Sequence, residues 1–98
     1  MSASPITLSA DAWDSALLQH SGHLLQSWKW GEFKSRHGWQ PERVHVQSAN
    51  GQGFAQVLFR SQGPVSIGYC PRGPLVVGDA AEVWPLLRME IDRVALKR

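Results

Sequence analysis

The sequence predicts an α/β fold with a mainly antiparallel sheet, its elements running α-α-β-β-β-α. Three observations carry this. Two helix-period segments precede Gly38, a hairpin signal at Asn50-Gly51 separates two strand-like runs, and a helix-period apolar stripe follows Gly78. With 98 residues, 43% of them hydrophobic, the chain suits one small domain or part of one.

Ser9 is a suitable N-cap, with Asp11 in the first turn, and Trp13, Ala16, Leu17 and His20 then share one face, so the first helix is expected over 10–20. Ser21-Gly22 breaks that pattern. A second helix is expected over 27–37, stopped by Gly38 as a left-handed cap, with Lys34, Arg36 and His37 complementing its dipole. Arg43 to Gln47 alternates polar and apolar residues, whereas Phe54 to Arg60 is apolar on nearly both faces. The two form a hairpin whose second strand is the more buried. Val65, Ile67 and Tyr69 mark a short third strand that runs into Cys70-Pro71-Arg72-Gly73-Pro74, where two prolines forbid ordinary ladder pairing. From Asp79 a last helix carries Val83, Leu87, Ile91 and Val94 as its apolar stripe and reaches the final residues, with Pro85 in its first turn or at a kink. That stripe calls for more sheet than this chain offers, so a further strand is expected beyond it.

Composition narrows the function classes. The opening MSASPITLSADAWD has no basic segment followed by an apolar run, and no stretch approaches the roughly 18 apolar residues of a membrane span. A cytoplasmic protein without a transmembrane segment is expected. Cys70 is the only cysteine, which rules out an internal disulfide and any cysteine-built zinc site from this chain alone. Beside an aromatic and a proline, with no histidine near in sequence, it reads as a small hydrophobe, not a nucleophile. His20 and His23 are separated by a helix break and lack a carboxylate cluster, so no metal site is expected. Phosphate-loop and dinucleotide signatures are absent, and Gly51-Gln52-Gly53 lies in a hairpin.

Residues 15–78 hold six Lys or Arg (Lys29, Lys34, Arg36, Arg43, Arg60, Arg72) against Glu32 and Glu42. This excess fits an anionic ligand without the dense clusters of a dedicated nucleic-acid binder. Trp30 and Lys34 lie one turn apart, so an indole and an ammonium flank one pocket if both are exposed; alternatively, Trp30 and Phe33 are core and Lys34 is solvated. Arg72, stiffened by Pro71 and Pro74, offers a planar fork for phosphate or carboxylate; alternatively, it pairs with a neighbouring acid.

Three stretches in order resemble the Fem family of peptidoglycan-bridge aminoacyltransferases: His23-Leu24-Leu25-Gln26-Ser27 with Trp30-Gly31-Glu32-Phe33-Lys34, then Gly38-Trp39, then Tyr69-Cys70-Pro71-Arg72-Gly73-Pro74. Cys70 departs from the aliphatic residue expected there, and a thiol fills similar space. The resemblance implies a GNAT-like (acyl-CoA N-acyltransferase-like) fold, of which residues 1–98 are the N-terminal part of a first copy, truncated before the catalytic machinery. It implies transfer of an amino acid from aminoacyl-tRNA, as co-substrate and without a cofactor, to the stem of a muramyl-pentapeptide precursor or lipid II. Peripheral contact with the inner membrane surface goes with that substrate. Lys34 then matches the lysine that holds the precursor's phosphate, with Trp30, Arg72 and Tyr69 as substrate-binding neighbours; catalytic residues stay unassigned. Two other readings differ in class: another GNAT-like N-acyltransferase using acyl-CoA, and a non-enzymatic RNA-binding module with steep salt dependence.

Overall fold

In the computed structural model, residues 8–20 and 22–97 are described. The expectations for the opening residues 1–7 and for the break at Ser21 lie outside them, whereas the last helix, expected to reach the final residues, ends at Ala95 and is followed by a turn at Leu96-Lys97. Helix α1 spans Ala10–Gln19, a short 3-10 turn covers Leu24–Gln26, and α2 spans Trp28–Ser35. Strands β1 (Gln40–Ser48), β2 (Gly51–Gln62), β3 (Val65–Tyr69) and β4 (Leu75–Gly78) follow, and α3 (Ala80–Ala95) closes the order. The fold is α/β with an antiparallel sheet, as expected, and has one strand more than the sequence pattern indicated.

That strand, β4, was hidden because it is short and begins next to Pro74. It pairs with the first half of β2 (Phe54 opposite Leu75), while β3 pairs with the second half (Leu58 opposite Tyr69). Strands β3 and β4 are thus one interrupted edge. Six residue steps from Tyr69 to Leu75 oppose four along β2, and the difference of two leaves side-chain alternation intact. The Cys70–Pro74 excursion takes up the surplus, at the place where the two prolines preclude ladder pairing.

Strand β2 is buried on both sides because each side meets a different helical layer. Ala55, Val57 and Phe59, with Val44 and Val46 of β1, pack against Val83, Leu87 and Val94 of α3. Phe54 faces the other way, against Trp13 and Leu17 of α1, whose indole meets it edge-on at 5.8 Å. Local signals set the helix starts: the side chains of Ser9, Ser27 and Asp79 accept from Ala12, Trp30 and Ala81 backbone N–H groups. Asn50 at the hairpin turn is tied to Glu82 of α3 through its backbone N–H (3.2 Å) and its amide (2.9 Å). Pro85 lies inside α3, at the sixth position and not in the first turn. Helix α2, expected over 27–37, ends at Ser35, and the turn that follows closes at Gly38, whose φ of 89° is the left-handed conformation that glycine adopts without steric cost. No helix among the described residues is long and apolar enough to cross a membrane.

Candidate anion-binding site

The layer formed by α1 and α2 meets the sheet through polar groups as well as apolar ones. Gln56, only 1% exposed, is held from two sides: its amide donates to Ser27 O at 2.8 Å and its oxygen accepts from Arg43 Nε at 2.8 Å. The Arg43 guanidinium lies 3.5 Å from the Trp28 ring centroid, donates to Trp28 O at 3.0 Å and pairs with Glu32 at 3.1 Å. Burial pulls the Arg43 pKa below its ordinary value, and the hydrogen-bonded Glu32 carboxylate opposes that shift. Gly31 permits the contact, since a Cβ there would stand 2.6 Å from Arg43 Nη2. Gln26 continues the network. Its amide donates to Gly73 O at 2.9 Å, its oxygen accepts from His23 N at 2.6 Å, and its carbonyl accepts from the Trp13 indole at 2.8 Å. The loop after β3 is therefore pinned to the start of α2.

These bonds account structurally for Gln26, Ser27, Gly31, Glu32 and Gly73. They leave a second set of residues with no such task. Lys34 Nζ lies 5.8 Å from the Trp30 ring and 5.5 Å from the Trp39 ring, and the Arg60 guanidinium lies 4.4 Å from that same Trp39 ring. The Tyr69 ring lies 5.9 Å from that of Trp39, tilted by 56°. Trp30, Phe33 and His37 extend the surface as a run of ring contacts at 5.4 and 4.6 Å. Phe33 is 49% exposed, which rules out the alternative that it is core. Trp30 is half-buried, and its indole N–H has no hydrogen-bond partner among the described residues.

Two cations thus share one indole, each gaining roughly 0.5–1 kcal/mol from the ring at a partly exposed site while repelling the other. Among the described residues neither is in an ion pair. Arg60 donates only to backbone, to His37 O and to Gly38 O at 3.5 Å, and Glu32 is already committed to Arg43. A cleft of about 240 Å³ reaches Arg60 from the α3 side of the sheet, lined by Gly38, Gln40, Phe59, Ser61 and Ser66. Cations with free charge beside aromatic faces are the chemistry of an anion carrying a sugar or a ring.

Of the four residues singled out in the sequence, Trp30, Lys34 and Tyr69 come together around Trp39. Arg72 does not join them through any contact among the described residues. It occupies the third position of a turn closed by Gly73 N donating to Cys70 O at 3.0 Å, where its φ of 63° is left-handed. Such a turn after proline favours glycine at that position, so Arg72 stands exposed and under backbone strain. The alternative of an ion pair with a neighbouring carboxylate is not found among the described residues. Burial raises the pKa of the Cys70 thiol, which packs against the α3-side core as a small hydrophobe.

Trp39 and Arg60 were missed as site residues. Trp39 directly follows the Gly38 cap, and Arg60 interrupts the apolar run of β2; both facts were visible, but only the fold brings the pair together. No protein-family model, curated protein or solved structure matches this chain.

Proposed function

We propose that this chain is the opening part of a GNAT-like aminoacyltransferase of the Fem type, and that the surface around Trp39 holds the phosphate of a muramyl-pentapeptide precursor. The observation that carries the reading is the pair of cations, Lys34 and Arg60, on one indole with no carboxylate partner among the described residues. The hydrogen bond from Gln26 to Gly73 adds support, because it ties together the two stretches on which the resemblance to that family rests. The antiparallel α/β architecture is compatible with the fold.

In this reading Lys34 acts through charge. An ammonium about 4 Å from a phosphate gains on the order of 1 kcal/mol in water and several times that in a partly dehydrated cleft. It positions the acceptor and takes no proton. Trp30 and Tyr69 pack the ring-bearing parts of the ligand, and Arg72 receives a second anionic group at the rim. Aminoacyl-tRNA supplies the amino acid, whose ester is cleaved by the acceptor amine; the residues that catalyse this aminolysis belong to parts of the enzyme beyond this chain. The setting is cytoplasmic, with peripheral contact to the inner membrane surface when the acceptor is lipid II.

The test is an amide NMR titration with UDP-muramyl-pentapeptide, repeated on Lys34→Ala, with acetyl-CoA as competitor. Saturable shifts at Trp30, Lys34 and Tyr69 that vanish in the variant are expected. Displacement by acetyl-CoA at equal concentration would redirect the reading to an acyl-CoA-dependent enzyme. A dispersed spectrum indifferent to the muramyl peptide would refute it.

A further inference from the structure

We propose that the outer edge of β3 captures an extended acidic peptide segment as an added strand. Among the described residues β3 pairs only with β2, so alternate backbone N–H and C=O groups of Val65–Tyr69 face outward without a partner strand. Edges of this kind are ordinarily blunted by a lysine, a proline or a bulge. The five residues VSIGY contain none of these and pair with β2 in unbroken register.

Both sides of the edge are prepared for side chains. On the side of α1 and α2, Val65, Ile67 and Tyr69 are 58%, 42% and 46% exposed. Toward α3, Gly68 carries no side chain over Phe59, and an apolar cavity of about 330 Å³ lies between β3 and α3, lined by Gly68, Cys70, Ile91 and Ala95 among others. An added strand would direct alternate residues to these two sides. One set meets the apolar cavity. The other meets the cations: Arg60 stands opposite Ile67 across the ladder, and Lys34 reaches the same surface through Trp39, which touches Tyr69.

Charge selects the occupant. An added strand lies roughly 9–10 Å from β2, two strand spacings, within the combined reach of an arginine and a glutamate side chain. Arg60 and Lys34 are in no ion pair among the described residues, so carboxylates on that face of the peptide meet unneutralised charge. A second copy of this chain, paired β3 to β3, would instead bring two such cation clusters together. Backbone pairing supplies affinity and the alternating side chains supply selectivity, the division of labour found in strand-addition complexes. This inference does not rest on the reading of the preceding subsection, since no sugar or phosphate enters it.

The test uses the full 98-residue chain and an eight-residue peptide alternating glutamate with valine, followed by amide hydrogen exchange and fluorescence anisotropy. Exchange slowed at residues 65–69, binding at least tenfold weaker for the peptide with lysine in place of glutamate, and a severalfold loss in Arg60→Gln are expected. Two further peptides, N-methylated at the glutamates or at the valines, separate strand pairing from simple charge attraction: one of the two should lose binding at least tenfold while the other keeps it. Equal binding of acidic and basic peptides, indifference to both methylation patterns, or protection of β3 that depends on protein concentration alone would overturn the proposal.

Discussion

The two faces of β2 are built from one strand and do opposite work. Toward α3, Ala55, Val57 and Phe59 meet Val83, Leu87 and Val94, a dry apolar seam. Toward α1 and α2, Phe54, Gln56, Leu58 and Arg60 alternate apolar and polar, and the helices answer with Trp13 at one end, Arg43 in the middle, and Trp39 with Lys34 at the other. Burial of side chains such as Leu87 contributes about 1.5–3 kcal/mol each, whereas a hydrogen bond such as that of Gln56 contributes about 1. Stability therefore concentrates on the α3 side. The other side gives up some of it to a polar network that orients an exposed surface of cations and rings, and this asymmetry is what points to function there.

The sharpest way to break this comparison is to truncate one residue on each side. Leu87→Ala should cost about 3 kcal/mol in urea unfolding, because a fully buried side chain is lost. Phe33→Ala should cost about 1 kcal/mol or less, since the ring is half exposed. Comparable losses would make the Trp30–Phe33 surface a core after all. Gly31→Ala probes the polar network between the layers; its methyl forces Arg43 and Gln56 apart, and a loss of about 1–3 kcal/mol is expected in the same assay.

Acid should find the α1 side first. His45 is stacked on Phe54 at 4.4 Å with its rings 8° from parallel, and it shares a 3.1 Å hydrogen bond with Gln52, which reaches His20 at 3.4 Å. Burial lowers the His45 pKa from its ordinary 6.5, and the Gln52 bond only partly opposes this. The unfolded chain then binds more protons than the folded one between the lowered value and 6.5. Stability should be level above that pH and fall as the pH drops through that window, and His45→Phe should flatten the curve; a wild-type profile flat down to pH 5 would contradict it. The smallest effect is expected at the rim: Arg72→Gly relieves a left-handed arginine, worth about 1 kcal/mol, but loosens the unfolded chain by nearly as much, so the melting midpoint should shift slightly upward at most.

Much of this fold was legible because its signals are local. The cap at Ser9, the glycine at Gly38 and the period of α3 each act over a few residues, and the hairpin signal at Asn50-Gly51 marks a turn that falls one residue earlier, at Ala49-Asn50. Strand β4 was not legible: Leu75, Val76 and Val77 form a short apolar run that only its pairing with β2 turns into a strand. The site followed the same division. Trp30 and Lys34 are helix neighbours, so their pairing could be read from spacing, whereas Arg60 and Trp39 are 21 positions apart and meet only through the sheet. Arg72 drew attention for its stiff surroundings, yet among the described residues no hydrogen bond, ion pair or ring contact joins it to the other three.

The measurement that bears most directly on the central claim is a tryptophan-fluorescence titration of wild-type and Lys34→Ala chains with UDP-muramyl-pentapeptide, alongside the urea midpoint of each. The expected result is a saturable change in the wild type, at least tenfold weaker binding in the variant, and midpoints within about 0.5 kcal/mol of each other. Equal affinities, or a variant that loses binding only because it has lost its stability, would contradict the assignment of this surface as a binding site.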